Sequence, residues 1–363
     1  RPNSGPEVSS SGMSLRRYVS IVDREIGPGR PVFLLAEAGV NHDGDAGQAL
    51  RLIDAAVAAG ADAVKFQIFR SEELVAPSAG KARYQMERDD AATQLEMLKR
   101  LELPPAAFRD LARAARERGI LFLASVFDEG SLDVLVDCGG PAVKLGSGEL
   151  TNHPLVRASA RTGLPLLLST GMSDLDEVRA AVDVFGEAGG ESLVLFHCLS
   201  AYPAPPAEVN LRAIPTLERS FPVPIGFSDH TQGPAVSLAA VALGAVALEK
   251  HLTLDRTLPG PDHAASAEPR EFGELVRAVR AVEAALGDGV KRRQPSEEEI
   301  RRVARKSVVA RATIEAGRAV QATELAILRP GTGIQPAELE AVIGRRPLRT
   351  IPAGTVLEWE MFE

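Results

Sequence analysis

VFLLAEAGVNHDGDAGQALRLIDAAVAAGADAVKFQ, residues 32–67, decides the fold. It opens on an apolar run (Val32–Ala38), turns through Asn41–Gly44 and continues as an amphipathic helical stretch over Gln48–Ala59. It then returns to an apolar run at Asp62–Gln67. Strand, turn, helix and strand in that order make one parallel βαβ unit. The pattern recurs. Further apolar runs lie at Ile120–Ser125, Ala142–Ser147, Pro165–Thr170, Ser192–His197, Val223–Ser228 and Ala245–His251, making eight in all. Helical stretches include Pro105–Glu117, Asp174–Phe185, Ala235–Ala242 and Arg270–Leu286. Eight such units predict an α/β fold, a closed (β/α)8 TIM barrel. Strands that are apolar almost throughout fit a parallel sheet covered by helices. A doubly wound open sheet is the competing architecture, but its usual GxGxxG is absent from AEAGVNHDGD.

The barrel is assigned residues 31–287. Residues 1–30 are read as a partly disordered leader, because RPNSGPEVSSSG is polar and lacks an apolar signal core. GDGVKRRQPSEEEIRRVARKS is charged and turn-rich, so 288–306 is read as a linker carrying a short helix. From Ser307 the texture changes. SVVARATI, TVLEWEMF and the turns at Arg329–Gly333 and Pro352–Gly354 predict a small, mostly β domain over 307–363. A domain that small buries limited apolar surface and is expected to lean on the barrel or on a partner subunit.

Composition removes whole classes of function. The net charge of −8 argues against nucleic-acid binding, which draws on Lys and Arg to neutralise phosphates. Cys138 and Cys198 are the only cysteines, so there is no disulfide framework or thiolate zinc site, and the cytoplasm is the expected compartment. No apolar run approaches the roughly 18 residues of a membrane span.

Polar residues gather where the apolar runs end, which in a βα-barrel is the active-site face. His230 and His251 close adjacent runs and suit a divalent ion with open positions for substrate oxygen and water; the alternative is two histidines hydrogen-bonded in loops. Lys65 and Lys144 stand within strands, where a lysine needs a negative partner. With the hydroxyls of Ser147, Ser169 and Ser228 they predict a pocket for a phosphate and a carboxylate; the alternative is pairing with Glu37 and Glu149. Glu37 within VFLLAEAG is a candidate general acid or base, compatible with a salt bridge to Lys65. The loop Leu258–Pro269 offers Asp262 and His263 to a polar substrate, and Tyr202 could contact a sugar.

Taken together, AEAGVNHDG (36–44), GADAVKFQ (60–67), VKLGSGEL (143–150), LSTGM (168–172), HCLSAYP (197–203), GFSDHT (226–231), EKHLT (249–253) and GPDHAASAEP (260–269) resemble the sialic acid synthase family. That family covers N-acetylneuraminate, legionaminate and pseudaminate synthases and the related spore-coat polysaccharide enzymes. SVVARATIEAGRAV and ILRPGTGI resemble its antifreeze-like (SAF) domain. The resemblance spans Val32 to Glu363. It implies metal-dependent condensation of phosphoenolpyruvate with an open-chain N-acylated amino sugar, N-acetylmannosamine or a diacetamido-trideoxyhexose. The products would be a nonulosonic acid and phosphate, released by C–O cleavage.

By the same resemblance, His230 and His251 are the ligands of Mn²⁺ or Mg²⁺. Lys65, Ser125, Lys144, Ser147, Ser169, Ser200 and Ser228 bind phosphoenolpyruvate. Glu37, Glu149 and Lys65 are catalytic. Gln67, Tyr202 and Asp262 contact the sugar, as does Arg329, reaching in from the other subunit of a domain-swapped homodimer. Some positions depart from the family pattern. Leu199-Ser200 stands for Thr-Asn or Thr-Ser, Ser125-Val126-Phe127 for a Thr-Pro-Phe segment, and Lys250 for arginine. None removes a core catalytic group, but Leu199 and Ser200 leave the identity of the sugar open. Two other readings stand beside this one: a phosphorylated-aldose condensation of the 3-deoxy-octulosonate phosphate synthase kind, and a non-catalytic sugar-binding protein.

Overall fold

The computed structural model describes residues 15–82, 85–86 and 89–363. The chain divides into two compact units between Gly287 and Asp288. In the first, eight parallel strands close a barrel: β3 (Phe33–Gly39), β4 (Ala63–Ile68), β5 (Leu121–Val126), β6 (Val143–Leu145), β7 (Leu166–Ser169), β8 (Leu193–Cys198), β9 (Ile225–Asp229) and β10 (Ala247–His251), with β10 pairing back onto β3. Each strand coincides with one of the eight apolar runs. Their helices are α1 (Ala46–Ala59), α2 (Pro105–Glu117), α3 (Glu129–Asp137), α4 (His153–Arg161), α5 (Leu175–Glu187), α6 (Ala213–Ser220), α7 (Ala235–Ala242) and α8 (Pro269–Leu286). Aspartate side chains cap several of them. Asp45 accepts from the Gly47 and Gln48 amides at α1, and Asp174 forms a capping box with Glu177 at α5.

Side chains alternate across each strand, and the two sets meet different surroundings. Outward positions such as Leu34, Ala36, Val64, Phe66, Leu166 and Leu168 join the helices in the main core. Inward positions change character along the strand. Phe33 and Leu35 lead to Glu37, Ala63 to Lys65 and Gln67, Leu123 to Ser125, Leu167 to Ser169, and Ala247 to Glu249 and His251. The N-terminal half of the barrel is therefore an apolar plug, and the C-terminal half is a polar well. Phe196 fills the plug partly because its neighbour is Gly226: a Cβ there would lie 2.7 Å from the Phe196 ring.

Residues 15–30 differ from the leader reading. Val19–Ile21 (β1) and Arg24–Ile26 (β2) pair as an antiparallel hairpin. Val19, Ile21 and Ile26 are fully buried in the same cluster as Phe33, Leu123 and Phe196. The hairpin thus caps the bottom of the barrel. Three apolar residues in a polar setting were too weak a periodic signal to show this. The rest of the leader, residues 1–14, lies outside the described residues.

The second unit has a small core around Val308, Ile314, Leu325, Val342 and Leu357. The expected β character takes the form of short pieces: β11 (Ser307–Ala310) pairs antiparallel with β12 (Leu325–Leu328), and single bridges join Val309 to Val356 and Ile314 to Ile351. The Ser307 hydroxyl donates to the Pro330 carbonyl and accepts from the Gly333 amide, fixing the RPGTG turn. The stretch read as a linker carries the helix Glu298–Ala304. No helix among the described residues is long and apolar enough to cross a membrane.

Replacing Ile21 by Ala empties a fully buried site in the plug. Such truncations cost about 2–5 kcal/mol, so denaturant unfolding should show a lower midpoint with an unchanged m-value.

Candidate active site

The polar well opens into a cavity of about 590 Å³. Its floor is set by strand register. Glu37 on β3 lies opposite Lys65 on β4, and Glu249 on β10 lies opposite Ser228 on β9. The Lys65 ammonium stands 2.6 Å from Glu37 Oε2 and 3.7 Å from Glu249 Oε1, and donates to Ser125 Oγ at 2.8 Å. Lys144 stands 3.8 Å from Glu249 Oε2 and donates to Ser169 Oγ at 2.7 Å. The Ser228 hydroxyl donates to Glu249, and the Gln67 amide to Glu37. Both lysines and both glutamates are buried. The salt bridge between Glu37 and Lys65 is thus present, and it forms part of the pocket floor.

Burial and charge set the protonation here. Burial pushes the Glu37 carboxyl up to about 7, against the pull of Lys65, and the neighbouring Glu249 raises it further. Glu249 goes the other way: burial opposes its charge, but Lys144 and Lys65 outweigh it and hold its pKa low. Two carboxylates sharing one lysine divide in this manner. Lys144 is lowered by burial, which Glu249 only partly offsets.

The histidines stand on one wall, their ring centroids 5.3 Å apart and their planes inclined at 60°. Tyr202 packs on His230 at 4.2 Å and meets His251 edge-on at 5.7 Å. His230 Nδ1 bonds the Leu199 carbonyl at 2.7 Å; the carbonyl only accepts, so Nδ1 carries a proton and Nε2 faces any ligand. His251 Nδ1 is buried without a hydrogen-bond partner, and Asp262 Oδ2 is 4.0 Å away. Burial, then the charges of His230 and Lys65, hold His251 well below its usual pKa, leaving it neutral with a free lone pair. Among the described residues, no group of three or more His, Cys, Asp or Glu side chains is spaced to hold a metal ion. Two imidazoles on one cavity wall could hold an ion only with further ligands from substrate or water.

Of the predicted site residues, Ser147, Ser200, Tyr202 and Asp262 also line the cavity with those already named. Two do not. Glu149 is half-buried in the turn Ser147–Glu149 and accepts from Asn152 Nδ2 at 2.7 Å, outside the cavity walls. Arg329 belongs to the second unit. His263, read as a substrate contact, is a structural latch: it bonds Thr253 Oγ1 at 2.7 Å and Asp43 at 2.9 Å, tying the β10–α8 loop to the β3–α1 loop.

The NeuB family profile matches residues 52–291, and a SAF domain profile matches residues 305–363. The chain belongs to the NeuB family. It is 45% identical over 336 residues to the N,N'-diacetyllegionaminic acid synthase of Legionella pneumophila, covering 91% of this chain and 94% of that one. It is 37% identical over 343 residues to the human N-acetylneuraminate-9-phosphate synthase, covering 94% and 95%. The crystal structure of the N-acetylneuraminic acid (sialic acid) synthetase from Leptospira borgpetersenii superposes with a TM-score of 0.71 at 37% identity, over 80% of this chain and 96% of that one.

Two residues of this NeuB-family site escaped the sequence reading. Glu249 lies in the run Ala245–His251 but is not among the predicted site residues, although it joins both lysines. Period two across LEKH would have found it, since Glu249 and His251 face inward while Lys250 faces outward to Asp229 at 2.9 Å. The second is Gly171. Its amide donates to Ser147 Oγ, and a Cβ would lie 2.5 Å from Ser200 Oγ.

His263→Ala should lower stability by about 1–3 kcal/mol, the cost of leaving buried partners unpaired. Thermal unfolding reads this directly. An unchanged melting temperature would contradict the latch.

Proposed function

We propose that this NeuB-family chain, a sialic-acid-type synthase, condenses phosphoenolpyruvate with an open-chain N-acylated amino sugar, giving a nonulosonic acid and inorganic phosphate. The observation that carries this reading is the pair of buried lysines, each on a serine hydroxyl and both within 4 Å of Glu249, on the floor of a cavity walled by two histidines. Two fixed ammoniums and a set of hydroxyls suit a small substrate that carries both a carboxylate and a phosphate.

In this mechanism Lys65, Lys144, Ser125, Ser147, Ser169, Ser200 and Ser228 hold the enolpyruvate and stabilise the charge it bears. C3 of the enolpyruvate forms a bond to the sugar aldehyde carbon, whose oxygen takes up a proton. Water adds at C2, and the C2–O bond breaks to release phosphate. Glu37, poised near neutrality beside Gln67, exchanges the proton of that water. Gln67, Tyr202 and Asp262 orient the sugar. His230 and His251 would hold Mn²⁺ or Mg²⁺, which when bound supplies Lewis acidity toward the aldehyde oxygen. On the family resemblance we further propose a domain-swapped homodimer, with Arg329 of one subunit meeting the sugar bound by its partner, and a cytoplasmic location. The SAF domain speaks against the 3-deoxy-octulosonate phosphate synthase alternative, and the His230–His251 pair with the two buried strand lysines speaks against a purely sugar-binding role.

The reaction is tested by incubating the purified chain with phosphoenolpyruvate, Mn²⁺ and N-acetylmannosamine or its diacetamido analogues. Phosphate release and the mass of a nonulosonic acid are the readouts, and no product from any acceptor would sink the reading. Lys144→Met should raise the phosphoenolpyruvate Kd at least about tenfold, from the loss of one charged hydrogen bond. His251→Ala should abolish phosphate release and weaken Mn²⁺ binding measured by titration. Arg329→Ala should raise KM for the sugar and leave that for phosphoenolpyruvate unchanged, and sedimentation of the wild type should report a dimer.

A further inference from the structure

His230 and His251 stand at neighbouring strand ends, but the sheet alone does not fix their relation. The ladder between β9 and β10 pairs Leu248 with Phe227 and Glu249 with Ser228, and it ends at Lys250 and Asp229. His230 lies one residue beyond it, after the end of β9. Backbone past a strand end is more mobile than the ladder unless other bonds hold it.

A buried clamp supplies those bonds. The Lys250 ammonium donates to Asp229 Oδ2 at 2.9 Å and to the Thr231 carbonyl at 2.8 Å. Asp229 Oδ1 accepts from the Thr231 amide at 2.8 Å, and its Oδ2 accepts from the Ser237 hydroxyl of α7 at 2.5 Å. Lys250, Asp229, Thr231 and Ser237 are all buried. The residue before His251 thus grips both residues that flank His230. None of the four lines the active-site cavity. Lys250 and Thr231 instead line a separate cavity of about 130 Å³, walled also by Glu271, Glu274 and Leu275 of α8. A buried ion pair is a poor source of stability, because packed apolar residues of the same volume often do as well or better. What this one supplies is geometry.

We propose that Lys250 is a positioning residue for a divalent cation. Through Asp229 and the Thr231 carbonyl it fixes where His230 stands relative to His251, and so sets the affinity of the pair for the ion. This rests on reading the two histidines as metal ligands and adds the contact behind them that holds their spacing. Two ligands on different strands bind an ion tightly only when supporting bonds have set their positions beforehand.

The test titrates the purified chain with Mn²⁺ alone and, separately, with phosphoenolpyruvate, and follows thermal unfolding of the same variants. Lys250→Met removes both bonds and should weaken Mn²⁺ binding about 10–100-fold, the usual loss when a contact behind a metal ligand is removed. Affinity for phosphoenolpyruvate should stay at the wild-type value, because Lys65, Lys144 and the serines are untouched. Lys250→Arg keeps a cation with donors for both acceptors, and the adjoining cavity has room for its larger head group. It should restore Mn²⁺ affinity. Should Lys250→Met fail to fold, the charge-neutral combination of Lys250→Met with Asp229→Asn takes its place with the same expectation. A lower melting temperature with Mn²⁺ affinity intact shows a role in stability alone and overturns the inference. So does an equal loss of phosphoenolpyruvate affinity, or a folded Lys250→Arg that binds Mn²⁺ no better than the truncated variant. A wild-type chain that binds no Mn²⁺, or binding that survives His251→Ala unchanged, overturns the metal reading of the histidines as well.

Discussion

Two ammoniums and two carboxylates share the floor of the barrel mouth, and the rest of the site is arranged around them. A single buried charge of this kind would cost many kcal/mol and would neutralise itself by shifting its pKa. Glu37, Lys65, Glu249 and Lys144 avoid that by lying on the neighbouring strands β10, β3 and β4 and on the nearby β6, where their charges offset one another. The cluster is held ready for an anion, because each lysine is already aimed into the cavity and already desolvated. The same balance divides the two glutamates. Glu249 stays ionised between two cations, while Glu37 sits near neutrality and is the one able to exchange a proton.

The barrel makes this arrangement possible by grading its interior. Apolar inward residues, capped from below by the β1–β2 hairpin, exclude water from one half. The parallel register then delivers polar side chains to the other half at fixed heights. Loops add what the strands cannot. The His263 latch keeps the loop that carries Asp262 beside His251. The long β4–α2 insertion adds Met97, Leu98 and Leu101, together with Gln85 and Gln94, to the cavity lining.

Much of this was legible in the chain. The eight apolar runs fell on the eight strands because buried parallel strands need nearly unbroken apolar sequence, and the lysines at positions 65 and 144 stood out against that background. The hairpin at 19–26 was not legible, since three apolar residues become a pattern only when a barrel floor is there to receive them. Glu149 and His263 looked like site residues from their neighbours in sequence, yet their hydrogen bonds go to Asn152 and to Thr253 and Asp43.

What the sequence by itself determined was the repeating βαβ order, the polar residue types at strand ends and the family those motifs belong to. These are local properties, carried by periodicity and short-range spacing. Only the tertiary structure decided which strand-end residues face the cavity, that Glu249 links both lysines, and that a distant insertion lines the pocket. Those facts depend on strand register and barrel closure, which bring residue 249 beside residues 65 and 144, and no local spacing encodes that contact.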